Sequence, residues 1–216
     1  MPDFLNATVQ QYVDQLASGE PTPGGGSAAG LTGALGAALF AMSARFTVGR
    51  EKYNQFQEAA TAVLTIAEGI RAELMKLMEE DAAAYALYGS ALALPKETDA
   101  QKAVRRQALQ DATRASALAP LAIARQAINL LEYGEAMAAN CNPNLVSDVV
   151  VGTHLALSAF QSAELNVRLN LRYLDDAQFV AEVGDELDAM AARAPQLAHA
   201  AVVTAYDVMN LPLGGE

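Results

Sequence analysis

The hydrophobic residues of this chain recur every three to four positions, which is the spacing of amphipathic helices. One face of the first predicted helix is formed by Phe4, Val9, Tyr12, Val13 and Leu16. A turn at residues 18–21 ends this helix, and a second helix is predicted over about residues 27–47. Ser27 is the expected N-cap of the second helix, since serine accepts hydrogen bonds from the free amides of a first turn.

Long helical patterns continue through the middle of the chain. The stretch over about residues 53–95 is predicted to bend or break near Gly69 or Gly89. Thr98 or the aspartate after it is the expected N-cap of the next helix. Pro120 should kink that helix, because proline lacks the amide that a helix interior requires.

The last third of the chain predicts two more helices. A breaker cluster at residues 140–144 precedes a helix that continues to about Tyr173, and a final helix ends near Asn210. The composition agrees with helix throughout: 52% of the 216 residues are hydrophobic, and there is no tryptophan. We therefore predict an all-α protein, a single-domain bundle of long helices over residues 1–216.

The charge of the chain limits its partners. A formal net charge of -11 argues against a general nucleic-acid surface, which needs clustered lysine and arginine. Cys141 is the one cysteine, which fits a reducing cytoplasm and excludes both an intrachain disulfide and a cysteine-based metal motif. Residues 21–44 are uncharged but only weakly hydropathic, so we expect a buried helix of a soluble bundle rather than a membrane span.

The glycine-rich loop, residues 21–27, holds the first candidate for binding. Its candidate contacts are Pro23, Gly24, Gly25, Gly26 and Ser27, at the start of a helix whose free amides attract an anionic, oxygen-rich group. The loop is not a Walker A motif, because no Gly-Lys-Ser/Thr follows it. The alternative is a turn in which glycines merely allow tight packing.

A second candidate lies at Asp148, just inside the start of a predicted helix. An acid at this position can simply stabilise the helix dipole, but the valines at 149–151 and Gly152 predict an apolar setting that could tune its protonation. Asn166 lies about five turns further along the same face, and Asn170 continues that face. The small residues between these polar ends predict a shallow groove or a close helix contact.

Several segments together resemble one enzyme family. They are Pro21-Thr-Pro-Gly-Gly-Gly-Ser27, Thr47-Val-Gly-Arg-Glu-Lys-Tyr53, Asn142-Pro-Asn-Leu-Val-Ser-Asp148 and Asn166-Val-Arg-Leu-Asn170. In this order they resemble the cyclodeaminase/cyclohydrolase family of folate enzymes, with Asp81 and Tyr85 as a weaker match. The resemblance implies the all-helical fold of the formiminotransferase-cyclodeaminase C-terminal domain, a homodimer, and a tetrahydrofolate site near the glycine-rich loop.

The resemblance also implies roles for particular residues. Asp148 is the first catalytic candidate and Asp81 the second, since a carboxylate can stabilise a cationic one-carbon bridge and transfer a proton. The substrate-binding candidates are Pro23, Gly24, Gly25, Gly26, Ser27, Arg50, Lys52, Asn144, Ser147, Asn166 and Asn170. A tetrahydrofolate derivative is the expected substrate, and we expect neither a covalently bound cofactor nor a metal.

Two questions stay open at the level of sequence. Cyclohydrolysis of methenyltetrahydrofolate and cyclodeamination of formiminotetrahydrofolate both pass through a tetrahedral carbon, so the motifs do not separate them. The chain also departs from the family pattern, with valines at 149–151 in place of Ala-Gly-x and Cys141 in place of glycine. The alternative function is therefore a non-catalytic helical dimer that binds folate or a protein partner.

Overall fold

The computed structural model of the chain describes residues 4–213, and these form helices without any strand. The helices are α1 (Val9–Leu16), α2 (Gly25–Arg45), α3 (Gln57–Leu92), α4 (Asp99–Glu132), α5 (Gly134–Ala139), α6 (Val146–Leu171) and α7 (Ala177–Met209). Short 3₁₀ turns at Glu51–Phe56 and Pro143–Leu145 lead into α3 and α6. The predicted all-α class is confirmed.

Helix α2 packs directly against α3 and α6 because its glycines let the backbones approach. A Cβ atom at Gly33 would lie 3.0 Å from Leu74 Cδ1 and 3.2 Å from Ala159 Cβ. A Cβ at Gly36 would lie 2.8 Å from the carbonyl oxygen of Gly152. The small residues of α2 and α6 therefore form a close helix contact, which is one of the two outcomes that the sequence predicts.

The α2/α6 pair is antiparallel, so each of its ends combines different parts of the sequence. At the glycine end, Gly25 of α2 lies beside the Asn166 side chain of α6. At the opposite end, the Ser43 hydroxyl donates to the carbonyl oxygen of Leu145, 3.4 Å away, and Asp148 follows in the first turn of α6. We call these the glycine end and the Asp148 end.

The core lies around α2, where Phe40, Leu74 and Phe160 are almost fully buried. Helix α2 is also the one helix in the described residues that is long and apolar enough to cross a membrane, with a mean hydropathy of 1.4 over its most apolar window. Of that window, 61% is buried inside the protein. This burial agrees with the prediction of a core helix.

Some predicted boundaries are wrong. Helix α3 continues through Gly69 and Gly89 without a break, because the cost of about 1 kcal/mol for a helical glycine is small beside the burial of its apolar face. The pattern before residue 140 contains two helices, since α4 ends at Glu132 and α5 begins at Gly134. A Cβ at Gly134 would lie 2.9 Å from Ala201 Cβ, so this glycine allows α5 to pack closely on α7.

The apolar face predicted for the first helix is only partly correct, since Phe4 lies outside the helix. Phe4 lies before α1, where its ring packs edge-to-face on Tyr12, and both side chains are buried. Val9 and Val13 instead face solvent, with Val9 82% exposed. The N-cap of α4 is predicted correctly, since the Thr98 hydroxyl accepts from the amide of Gln101.

Candidate functional site

The glycine-rich loop starts α2 two residues earlier than predicted. Gly24 is the N-cap, so Ser27 lies within the first turn and its predicted role as an N-cap is wrong. Ser27 is fully buried, and its hydroxyl forms a hydrogen bond of 3.0 Å with the hydroxyl of Tyr12. Glycine lacks a side-chain acceptor, so the amides of this first turn are available to groups from other elements.

One of those groups is the carboxylate of Asp81, from α3. The backbone amide of Ser27 donates to it, and a Cβ atom at Gly26 would overlap it. The anion at this helix start is therefore part of the protein, which corrects the expectation that the loop cradles an anionic group of the ligand. Burial raises the pKa of Asp81, and the hydrogen bond from Ser27 opposes that rise.

A pocket of about 440 Å³ opens beside Asp81. It is lined by Pro21, Thr22, Gly24, Gly25, Gly26, Asp81, Tyr85, Tyr88, Thr113, Ser116, Asn166, Leu169, Asn170 and Tyr173. Among these described residues there is no lysine or arginine, and Asp81 supplies the one carboxylate. The pocket thus suits a neutral or cationic group better than an anion.

Asn170 lines this pocket and also replaces a hydrogen bond that is missing from the neighbouring helix α4. Pro120 has no amide to donate to the carbonyl of Ser116, four residues earlier in α4. The side-chain amide of Asn170 donates to that carbonyl at 2.9 Å, and to the carbonyl of Asn166 at 2.9 Å. Because its nitrogen faces these carbonyls, the side-chain oxygen of Asn170 remains for another partner.

Asn166 is held in a similar way, since its side-chain nitrogen donates to the carbonyl of Ser162 at 2.8 Å. Ser116 lines the same pocket, and sequence reasoning missed it. The Ser116 hydroxyl oxygen is the one buried side-chain oxygen or nitrogen of the described residues that has no hydrogen-bond partner. A serine four positions before a helical proline was the available sequence signal, because such a carbonyl needs a partner from elsewhere.

The Asp148 end of the α2/α6 pair is organised by different hydrogen bonds. The Tyr53 hydroxyl donates to the side-chain oxygen of Asn142 at 2.7 Å, and that same oxygen accepts from the amide of Asn144 at 3.1 Å. The amide of Asn142 donates to the hydroxyl of Thr47 at 2.9 Å. These bonds fix the loop before α6 against the chain that follows α2.

The other predicted residues of this end lie around that loop. Asp148 is half-buried in the first turn of α6, while Asn144 and Ser147 are exposed. Arg50 and Lys52 are exposed too, with the Lys52 ammonium 5.5 Å from the centre of the Tyr53 ring.

The predicted site residues therefore fall into two separate groups within one copy of the chain. Asp148 and Asn166 share α6 but lie 18 positions apart, which is about 27 Å along a helix that rises about 1.5 Å per residue. Asp81 lies at the glycine end, with Asn166 and Asn170. A single site containing both aspartates is therefore not formed by one copy of the chain.

Two further groups bear on the chemistry. Within residues 4–213, no cluster of three or more histidine, cysteine or acidic side chains is placed to hold a metal ion. Burial raises the pKa of the Cys141 thiol to about 12, so this side chain stays protonated and poorly nucleophilic near neutral pH.

Comparison with known proteins finds one family. The model of the formiminotransferase-cyclodeaminase family matches residues 8–189. A methenyltetrahydrofolate cyclohydrolase of Methylorubrum extorquens is 38% identical over 192 residues, which cover 89% of this chain and 92% of that protein. The formimidoyltransferase-cyclodeaminase of Sus scrofa is 30% identical over 87% of this chain, but the matched part is only 35% of its own length.

A solved structure agrees with these sequence matches. The crystal structure of a formiminotetrahydrofolate cyclodeaminase from Thermotoga maritima superposes with a TM-score of 0.84 at 25% sequence identity. The match covers 95% of this chain and 99% of that one. The helical arrangement described above is thus shared along nearly the whole chain.

Proposed function

Since this chain belongs to the formiminotransferase-cyclodeaminase family, we propose that it is a folate enzyme acting on the one-carbon bridge between N5 and N10 of tetrahydrofolate. Its reaction is hydrolysis of methenyltetrahydrofolate to formyltetrahydrofolate, conversion of formiminotetrahydrofolate to methenyltetrahydrofolate and ammonia, or both. The observation that carries the proposal is Asp81, a partly buried carboxylate in a pocket whose described lining contains no cation.

The charge of the pocket matches the charge of the reacting group. The methenyl bridge is cationic, and a protonated formimino group is an amidinium cation, so each is stabilised beside the Asp81 carboxylate. In hydrolysis, water attacks the bridge carbon, Asp81 accepts a proton from that water, and the bond from carbon to one nitrogen breaks. That proton then passes to the leaving nitrogen, and the hydroxyl on the tetrahedral carbon loses its own proton to solvent as the formyl C=O forms, so the positive charge of the bridge leaves as that proton.

Cyclodeamination uses the same position with a different nucleophile. N10 attacks the formimino carbon, Asp81 accepts the proton that N10 loses, and the proton is returned to the nitrogen that leaves as ammonia. A base is more effective when its pKa approaches the working pH, and burial moves the pKa of Asp81 in that direction. Hydrolysis is the reaction to test first, because the relative that is 38% identical carries that name.

We also propose that the chain is a homodimer, joined through one face of the α2/α6 pair. This face carries Ala28, Thr32, Leu35, Leu39 and Met42 of α2, its C-cap residue Phe46, and Val151, Leu155, Ser158, Ser162, Leu165 and Leu169 of α6. These twelve residues are uncharged, and not one of them is buried. An uncharged surface of this extent on an acidic protein supports contact with a second copy.

The dimer also gives the Asp148 end a place in the reaction. In this dimer the two-fold axis lies in the face and is perpendicular to the helices. The rotation therefore places the glycine end of one copy against the Asp148 end of the other. The Asp81 pocket of one copy then faces Asp148, Asn144 and Ser147 of the other. Arg50 and Lys52 of that second copy supply cations for the carboxylates of the folate tail, which the pocket itself does not offer.

The remaining expectations complete the proposal. Residues 1–216 form one domain, and the cytoplasm is its compartment, in keeping with its buried and protonated Cys141. A non-catalytic folate-binding dimer is the second candidate, and the valines at 149–151 are the observation in its favour. Val149 is fully buried and Val151 half exposed, so the substitution reaches both the core and the proposed dimer face.

The test is turnover by the purified protein and by its Asp81→Asn variant. We expect wild-type protein to speed the loss of methenyltetrahydrofolate absorbance above the spontaneous rate, or to form that chromophore from formiminotetrahydrofolate. The variant should lose about 10²- to 10⁴-fold in kcat, because it has no carboxylate to accept the proton. Wild-type protein that binds folate without either turnover would favour the non-catalytic dimer.

A further inference from the structure

The Asp81 pocket contains three oxygen atoms whose hydrogen-bonding capacity is not used within the described residues. The Ser116 hydroxyl is buried without a partner. The side-chain oxygens of Asn166 and Asn170 point away from the main-chain carbonyls that their nitrogens engage. Serine in a helix commonly donates to the carbonyl four residues earlier, and Ser116 does not.

These groups form one polar wall, because Asn170 binds the main chain of Ser116 directly. Two of the three oxygens can only accept hydrogen bonds, and the serine hydroxyl can both donate and accept. The Ser116 hydroxyl is the buried one of the three, and leaving it unpaired costs free energy. Together with the two amide oxygens it fits a ligand with several N–H donors on one edge.

Folate has two chemically different ends that this wall can distinguish. The reduced pterin carries N–H donors at its 2-amino group, N3 and N8, beside a carbonyl acceptor. The p-aminobenzoylglutamate end carries at least two carboxylates. Carboxylates would meet the Asp81 carboxylate with no cation in the described pocket lining, whereas the neutral pterin would not.

Aromatic side chains at the mouth favour the same orientation. Tyr85 and Tyr173 line the pocket and are 48% and 62% exposed, so their ring faces are available to a flat ligand. Stacking of a bicyclic ring on such faces adds to the hydrogen bonds of the polar wall.

We propose that this pocket is the pterin subsite: the pterin enters first, its N–H edge on Ser116, Asn166 and Asn170, and the benzoylglutamate end points outward. This orientation rests on the proposed function, and it makes Ser116 a determinant of substrate binding that is separate from the chemistry of Asp81. The one-carbon bridge, which joins the two ends of folate, then lies beside Asp81 at the inner part of the mouth.

The test uses two fragments of folate, 6-methyltetrahydropterin kept reduced and p-aminobenzoylglutamate, with calorimetric affinities for each. Ser116→Ala and Asn166→Ala are the variants. The second is mild for the fold, because the carbonyl that Asn166 caps already accepts the helical amide. Ser90→Ala is the matched control, since its hydroxyl donates to the Ala86 carbonyl on the exposed side of α3, outside the pocket lining.

We expect wild-type protein to bind the pterin fragment, and each pocket variant to weaken that binding by about fivefold to tenfold, the size of one lost hydrogen bond. Affinity for p-aminobenzoylglutamate should be unchanged, and Ser90→Ala should match wild type for both fragments. Absence of pterin binding, unchanged pterin affinity in both pocket variants, or weakened binding of the benzoylglutamate fragment alone would each overturn the orientation.

Because fragment binding is measured without turnover, its failure is separate from failure of the proposed function. An active Asp81→Asn enzyme would disprove the catalytic role of Asp81 while leaving the fragment affinities to decide the orientation. An inactive Asp81→Asn enzyme, together with Ser116→Ala and Asn166→Ala proteins that both bind the pterin fragment normally, would disprove the orientation alone.

Discussion

The two ends of the antiparallel α2/α6 pair differ in how they treat charge and hydrogen bonding. At the glycine end, a partly buried carboxylate is held by the amide of Ser27, and the hydroxyl of Ser116 has no partner among the described residues. At the Asp148 end, Tyr53, Thr47 and Asn142 satisfy one another's hydrogen bonds, and the cations of Arg50 and Lys52 face solvent. Unsatisfied polar groups are a mark of binding sites, so in the proposed dimer the glycine end is the half of the site that one copy contributes.

The antiparallel packing of α2 and α6 also explains why the family motifs lie in two separate regions of the structure. The glycines of α2 allow two helices to pack closely along their length, and the same packing holds the motifs of α6 at opposite ends. Both ends of α6 lie beside α2, yet Asp148 at one end of α6 is about 27 Å from Asn166 towards the other end. The proposed dimer, in which a second copy exchanges the ends, would bring the predicted residues of both ends to one reaction.

The largest effect should come from mixing two inactive variants. Asp81→Asn and Asp148→Asn should each lose at least about 10²-fold in kcat, since each removes one carboxylate from every site. Mixed after dissociation, they should recover about a quarter of wild-type activity, because half of random dimers are mixed and each mixed dimer has one intact site.

The control for this experiment pairs Asp81→Asn with the double variant that lacks both carboxylates. That mixture forms no intact site, so its activity should stay at the level of the single variants. Absence of recovery in the first mixture would show that the ends are not exchanged between copies. A fully active Asp148→Asn protein would remove that residue from the mechanism.

The next prediction compares alanine substitutions at two glycines: Gly26, which lies against the Asp81 carboxylate, and Gly69, which does not. Gly26→Ala places a Cβ where the Asp81 carboxylate lies, and the carboxylate, as the end of a side chain, is the group that must move. We expect about a 10- to 100-fold loss in kcat, because misplacement by an ångström can cost that much. The fold should survive, which circular dichroism can check.

Gly69→Ala is the matched substitution in the interior of α3. A Cβ there meets nothing within 4 Å, so activity should be unchanged and the free energy of unfolding should rise by about 0.5 to 1 kcal/mol. Equal losses of activity in the two variants would mean that Gly26 matters only as a helical residue.

The sequence predicts the fold well because helical spacing is local information. The all-α class, the break at residues 140–144 and the N-cap at Thr98 need only neighbouring residues. The site was harder to predict, because the Asp81 carboxylate reaches the first turn of α2 across more than fifty residues of sequence. The motifs named Asp81 as a candidate, but only packing shows that it fills the anion position of the glycine-rich loop.

Ser116 and the exposed face of α1 mark the limits of that local information. The importance of Ser116 depends on Pro120 removing a helical amide and on Asn170 arriving from another helix. Val9 and Val13 follow the same spacing as a buried face, yet no element of the described chain covers them. Spacing identifies an apolar face, and tertiary structure decides whether that face is covered.

A charge in the middle of the proposed dimer face should separate the copies. Leu35 is 51% exposed near the centre of α2, and Leu35→Arg would place two arginines close to the two-fold axis. Sedimentation velocity should show a shift from dimer to monomer, with activity lost because the ends no longer meet. Leu87→Arg is the control, since Leu87 is 55% exposed on α3 and lies outside that face. A dimer that persists in Leu35→Arg would exclude the α2/α6 face.

The smallest effect is on stability, and its sign should differ between the two ends. Burial raises the pKa of Asp81 in the folded protein, so its ionised form opposes folding. This loss of stability begins as the pH rises above the pKa of the unfolded chain and is complete above the raised pKa of the folded protein. Asp81→Asn should therefore raise the Tm by a few degrees near pH 8. The difference should disappear below about pH 4, where the aspartate is protonated in the unfolded chain as well.

Asp148→Asn should act in the opposite direction. Its carboxylate lies in the first turn of α6, where it interacts favourably with the helix dipole, so its loss should cost about 0.3 to 1 kcal/mol near neutral pH. Thermal melts of both variants across pH 4 to 8 measure this contrast. If both substitutions lower the Tm at pH 8, then the ionised Asp81 carboxylate stabilises the fold, as Asp148 does. The glycine end would then not contain a carboxylate whose ionised form is destabilised by burial.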